Sequence, residues 1–134
     1  MSNDSGAAVR YIVDDVTEAI TFYRLLGFDV AMHPAPGFAA LDRGGLRLLL
    51  NMPGAGGAGQ PADHGPHAGA SPQPGGWNRF QLLTDQLDTD LERLQAAGAA
   101  VRTSIVEGRG GRQAVLDDPS GNPVELFEPT TSPT

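Results

Sequence analysis

The segment VRYIVDDVTEAITFYRLLGFDV, residues 9–30, has a counterpart further along the same chain: FQLLTDQLDTDLERLQAAGAAV, residues 80–101, at an offset of 71. Asp14-Asp15-Val16 falls on Asp85-Gln86-Leu87, Ile20 on Leu91, Tyr23 on Leu94, Gly27 on Gly98 and Val30 on Val101. Self-similarity at a fixed offset marks one supersecondary unit used twice. Beyond these segments the offset grows to 75, where Leu41-Asp42 meets Leu116-Asp117, and then to 76, where Gly45 meets Gly121, Leu50 meets Leu126 and Pro53 meets Pro129. It changes only where hairpin loops are expected, and insertions there cost little.

Each half reads as strand, helix and three strands. Residues 9–13 are rich in β-formers and predict a strand. Asp14 or Asp15 then opens a helix with Val16, Ala19, Ile20, Tyr23 and Leu26 on one face, and Gly27 ends it. Strands follow at about 28–33, 38–42 and 46–51. In the second half the spacing predicts a strand over 77–84 and a helix over 87–97 with Leu87, Leu91 and Leu94 as its apolar stripe, ended by Gly98. Strands are expected near 100–106, 112–116 and 123–128, with Asp118-Pro119-Ser120-Gly121-Asn122 as a turn. The fold class is α+β, in one domain: a βαβββ module over 8–52, a second over 77–129, and a tail over 130–134. Between the modules, residues 53–76 carry a cluster of glycines and prolines with almost no large apolar side chain. They predict a long mobile loop, because little apolar burial is available to offset ordering entropy.

Bulk properties narrow the function classes. The chain has 134 residues and a net charge of -7, which disfavours nucleic acid as a partner. It has no cysteine, so disulfides, thiolate metal sites and cysteine nucleophiles are excluded. No apolar run approaches the roughly 20 residues that span a bilayer. The first eight residues lack the basic cluster and apolar run of a signal peptide. A cytoplasmic protein with neither membrane nor nucleic-acid partner is expected.

Two motifs then carry a resemblance. One is Val13-Asp14-Asp15 with Phe22-Tyr23 and Leu26-Gly27-Phe28. The other runs from Asp118-Pro119-Ser120-Gly121-Asn122 into Pro123-Val124-Glu125-Leu126. In this order, on a matching repeat, they resemble the vicinal oxygen chelate superfamily, which contains glyoxalase I, bleomycin-resistance proteins and extradiol dioxygenases. The resemblance spans about residues 8–129. It implies paired modules whose mixed sheets curl around an open cup, frequent homodimers, and ligand sites in or between the cups.

The resemblance also implies four quasi-equivalent metal-ligand positions, which fall here on Ala8, Leu49, Arg79 and Glu125. Of these only Glu125 offers a lone pair to a cation. Alanine and leucine have none, and arginine carries a fixed positive charge. The neighbours Arg10 and Asn78 do not repair the set, and a catalytic metal usually needs three protein ligands. No metal and no cofactor are expected. His64 and His67 lie in the Gly/Pro loop with only Asp63 beside them and read as solvated loop residues, and His33, which ends a strand, reads as a structural or surface residue rather than a base. Residues 54–59 and 108–111 are glycine-rich but lack the Lys-Ser/Thr of a phosphate loop.

Strand alternation sorts the side chains that would line the cup. Arg10 and Ile12 fall on that face, as do Arg47, Leu49 and Asn51. In the second half Trp77, Arg79, Gln81 and Leu83 share it with Glu125 and Phe127. Phe38, Ala40, Gln113 and Val115 join from the hairpin strands. A ligand set of Trp77, Arg79, Gln81, Phe127, Glu125, Leu49, Asn51 and Phe38 combines aromatic surface with a few polar anchors, which suits a bulky or planar organic molecule. Two roles stay open for Trp77: stacking on a ligand, or packing a strand end or dimer seam. Two also stay open for Arg79 and Glu125: ligand anchors, or an internal ion pair. The function expected is a non-catalytic small-molecule binding protein, closest in character to the metal-free bleomycin-resistance members, that sequesters an aromatic or bulky antibiotic-like ligand as a homodimer. The alternative is a metal-dependent lyase, isomerase or dioxygenase with Glu125 as ligand or base. A third reading is a structural module with no small ligand.

Overall fold

The computed structural model describes residues 6–130. Most of the expected tail, residues 131–134, lies outside them. The chain divides into unit 1, Met1–Pro74, and unit 2, Gly75–Thr134. Unit 1 contains β1 (Ala8–Ile12), α1 (Val16–Leu25), β2 (Asp29–Ala35), β3 (Phe38–Arg43) and β4 (Leu46–Asn51). Unit 2 repeats the order with β5 (Gln81–Leu83), α2 (Leu87–Ala96), β6 (Ala100–Glu107), β7 (Gly111–Asp117) and β8 (Pro123–Pro129). The α+β class and the two tandem βαβββ modules are as the sequence predicts. Each module forms a four-stranded open mixed sheet, ordered β1-β4-β3-β2 in unit 1 and β5-β8-β7-β6 in unit 2. The first and last strands of each module pair in parallel, and the other pairs are antiparallel.

Both helices stop by the same device. Gly27 and Gly98 take φ of 90° and 98°, which glycine adopts without a Cβ penalty. Gly27 N–H reaches back to the Arg24 carbonyl and Phe28 N–H to that of Tyr23; Gly98 and Ala99 do the same to Gln95 and Leu94. The Tyr23 and Phe28 rings meet edge to face at 5.5 Å, adding the apolar contact that accompanies such an end. The starts differ. Asp15 caps α1 by accepting from Glu18 N–H at 3.0 Å. Gln86 makes no side-chain cap, and Leu87 N–H instead donates to Glu128 of β8 at 3.2 Å.

Each helix covers one face of its own sheet. The buried face of α1 carries Val16, Ala19, Phe22 and Tyr23; Phe22 is buried and the expected Ile20 only half-buried. Against it lie Leu48 and Leu50 of β4 and Leu41 of β3, all inaccessible to solvent. In α2, Leu87, Leu91 and Leu94 form the stripe as expected, over Leu116, Val124 and Leu126. Each large apolar side chain so buried contributes about 1.5–3 kcal/mol.

The repeat extends to its irregularities. The ladder between β2 and β3 slips between Val30 and Met32 and between Met32 and Ala35; that between β6 and β7 slips at Val101/Thr103 and Thr103/Val106, the same positions 71 residues on. The strand predicted over 77–84 is shorter than expected. Gln81 pairs with Glu125, which sets position 123 opposite 79, and Pro123 has no N–H to extend the ladder. Residues 77–80 therefore precede the strand.

The stretch expected to be a mobile linker contains two single turns of 3₁₀ helix, Gly57–Gly59 and Gly65–His67. Gly54 N–H bonds the Gly59 carbonyl at 2.7 Å, and Gly69 N–H bonds that of Ala62 at 2.7 Å. No helix among the described residues is long and apolar enough to cross a membrane.

Candidate functional site

The face of the unit 2 sheet opposite the one that α2 covers carries the densest set of candidate functional groups. Ladder partners share a face, so Gln81, Glu125 and Val115 form one row, and Leu83, Phe127 and Gln113 the next. At the centre sits Glu125, buried. Its Oε1 accepts from Arg79 Nε at 3.0 Å and its Oε2 from Gln81 Nε2 at 2.7 Å. Both carboxylate oxygens are thus engaged by donors, one of them cationic. Arg79 also reaches the Trp77 carbonyl at 3.4 Å.

Trp77 lies at the border of this face. Its residue is 63% exposed, the largest exposure among the bulky apolar side chains. The guanidinium carbon of Arg102 stands 4.5 Å from its ring centroid. Arg102 is itself fixed: Nε donates to Asp117 at 2.7 Å, Nη1 to the Gly76 carbonyl at 2.6 Å and Nη2 to the Gly121 carbonyl at 2.8 Å. Gly75 N–H is bound in turn by Asn122 Oδ1 at 2.7 Å. The Asp118–Asn122 turn supports this from below, with Asp118 Oδ1 accepting from Ser120 and Asn122 N–H. The indole therefore rests one face on an anchored cation and leaves the rest to solvent.

Arg102 was not among the residues predicted for a site. It sits inside the slip between Val101, opposite Leu116, and Thr103, opposite Val115, where two residues oppose one. Alternation cannot assign the side of a bulge residue, so no signal in the sequence alone found it.

The remaining predicted residues lie in unit 1. Leu49 is half-buried, with Arg10 opposite it in β1 and Ala40 in β3. Asn51 is buried and Phe38 half-buried, and the two are ladder partners. Arg10 Nη1 donates to Asn51 Oδ1. Asn51 Nδ2 points to the Ala55 carbonyl at 3.5 Å. His64 pairs with its neighbour Asp63 at 2.8 Å, both almost fully exposed, and His33 is exposed on β2.

A family model of the glyoxalase/bleomycin resistance protein/dioxygenase superfamily matches residues 7–126. The chain belongs to this superfamily. An uncharacterized protein of Mycolicibacterium smegmatis is 28% identical over 129 residues, 96% of this chain and 97% of the relative. Among solved structures, TnmS3, an antibiotic binding protein from Streptomyces sp. CB03234, is 28% identical with a TM-score of 0.68, covering 97% of this chain and 99% of that one. Lactoylglutathione lyase from Agrobacterium tumefaciens superposes with a TM-score of 0.69 at 21% identity, covering 95% and 96%; that likeness is one of fold.

Metal-dependent members of the superfamily need a donor set, and the donors at the four corresponding positions do not fit one. Ala8 and Leu49 offer no lone pair, Arg79 brings a positive charge, and Glu125 is already bonded to Arg79 and Gln81. Among the described residues no three His, Cys, Asp or Glu side chains group as a metal site would require.

Proposed function

We propose that this superfamily member is a non-catalytic binding protein that sequesters a bulky aromatic small molecule of antibiotic type. The observation that carries the reading is the exposed Trp77 ring backed by Arg102 beside the Gln81, Glu125 and Phe127 face. An indole held in place loses little freedom when a planar ligand stacks on it, and that favours affinity. Arg79 and Gln81, locked to Glu125, supply polar groups of fixed direction beside the ring. The likeness to TnmS3 along nearly the whole chain supports the same class of ligand.

Trp77 is the only tryptophan, so its emission reports binding directly. The test titrates the full chain with a panel of glycopeptide, enediyne and polycyclic aromatic antibiotics. We expect saturable quenching by at least one of them at about micromolar concentration or below, with binding of that ligand, read by calorimetry, weakened at least about tenfold in Trp77→Ala and the ligand recovered chemically unchanged. Absence of quenching across the panel, or turnover of the bound ligand, overturns the proposal.

A further inference from the structure

We propose a second recognition element in unit 1: a hollow in which Arg10 binds the negative group of a small anion with an apolar or aromatic body. The hollow measures about 570 Å³ and is lined by Arg10, Phe38, Asn51, Ala35 and the turn at residues 55–58. Apart from Arg10 and Asn51 its walls are small apolar side chains, one aromatic ring and glycine backbone. The wall formed by the turn depends on close packing. A Cβ on Gly37 would stand 2.6 Å from that of Ala55, and one on Gly59 would stand 2.7 Å from the Met52 carbonyl oxygen. Larger residues at either place would push the turn off the strand.

Charge chooses the ligand class. The chain has no lysine, so its fixed positive charges are all arginines. Arg47, Arg79, Arg93, Arg102 and Arg112 each pair with a carboxylate, whereas the ion pairs among the described residues include neither Arg10 nor Arg24 nor Arg109, and of these three Arg10 is the one that lines this hollow. Its partner is the neutral amide of Asn51, whose oxygen faces Arg10 while its nitrogen faces the Ala55 carbonyl. That bond engages one N–H of a fork that presents five, a geometry suited to a carboxylate. Arg10 is exposed at the mouth of this hollow, whose lining includes no carboxylate, so in a chain of net charge -7 its guanidinium is open to the charge that a ligand brings. This inference stands on unit 1 and does not require the Trp77 reading.

The probe is 2-naphthoate, with uncharged 2-naphthamide as its control, added to the ¹⁵N-labelled full chain. We expect naphthoate to shift the amides of residues 55–58 and the Arg10 Nε–H saturably, and to bind about tenfold or more tightly than naphthamide. Arg10→Gln removes that advantage and leaves naphthamide binding as it was. Ala58→Trp, which fills the hollow with the arginine retained, weakens both probes. The amide spectrum of unit 2 serves as the folding control for each variant. No saturable shift at about 5 mM naphthoate, equal affinity for the two probes, or an Arg10→Gln variant that binds naphthoate normally overturns the proposal. Each of these outcomes leaves the antibiotic quenching test untouched, and failure of that test leaves this one standing.

Discussion

Arg102 organises the surface proposed for recognition through the groups that it holds in place. Its three hydrogen bonds and its ring contact join β6, the turn at Asp118–Asn122 and the segment carrying Trp77. The side chain is 18% exposed, so its removal strands a half-buried Asp117. We expect Arg102→Met to cost about 2 kcal/mol, roughly 8 °C in Tm, and to shift Trp77 emission toward that of a free indole. Arg102→Lys keeps the charge but not the fork and recovers less than half of the loss. A Tm and an emission spectrum both unchanged in Arg102→Met would show that the clamp is idle. Of the candidate groups, Glu125 and Gln81 were legible in the sequence because alternation along regular strands fixes their face, whereas Arg79 precedes β5 and joins them through its bond to Glu125. Arg102 was not, because it occupies a bulge. Arg10 could be placed on the same face as Leu49, but its absence from the ion pairs among the described residues depends on where each carboxylate ends up.

At the level of elements, the two modules were legible because their punctuation is local. Asp15 and the glycines at 27 and 98 act on neighbouring residues, so a linear reading finds them. The late start of β5 is set by Pro123 across the ladder, and the cap of α2 comes from Glu128 of β8; neither is visible along the chain. That borrowed cap has a pH signature. Glu128 lies below the ordinary glutamate value of 4.5, chiefly through hydrogen bonds from Arg112 and then through Leu87 N–H, and Asp88 is lowered by a hydrogen bond from the same arginine. Carboxylates lowered in the folded state stabilise it fully above their unfolded values, and that contribution is lost as pH falls through the lower folded ones. Tm should therefore drop below about pH 4.5, and Glu128→Gln should flatten the drop. Identical pH profiles for the two proteins would show that the cap carries no linkage.

At the level of the whole molecule, the uncovered sheet faces and edges bear on assembly. Leu83 and Trp77 are more than half exposed, and Met32 and Val106 nearly half. Apolar side chains of this size on open sheets favour a protein partner, and we propose a second copy of this chain. Light scattering at micromolar concentration should give twice the 14.0 kDa chain mass; a monomer there overturns the homodimer. The boundary between the units supplies a second readout. Unit 2 begins at Gly75, and Gly75 and Gly76, both with positive φ, lead straight into the only tryptophan, whose supporting arginine grips the Gly76 carbonyl. Torsion at that joint reaches the indole before it reaches a sheet. The polarisation of Trp77 emission is thus a built-in strain gauge, reporting movement of the segment that leads into β5 with no label added.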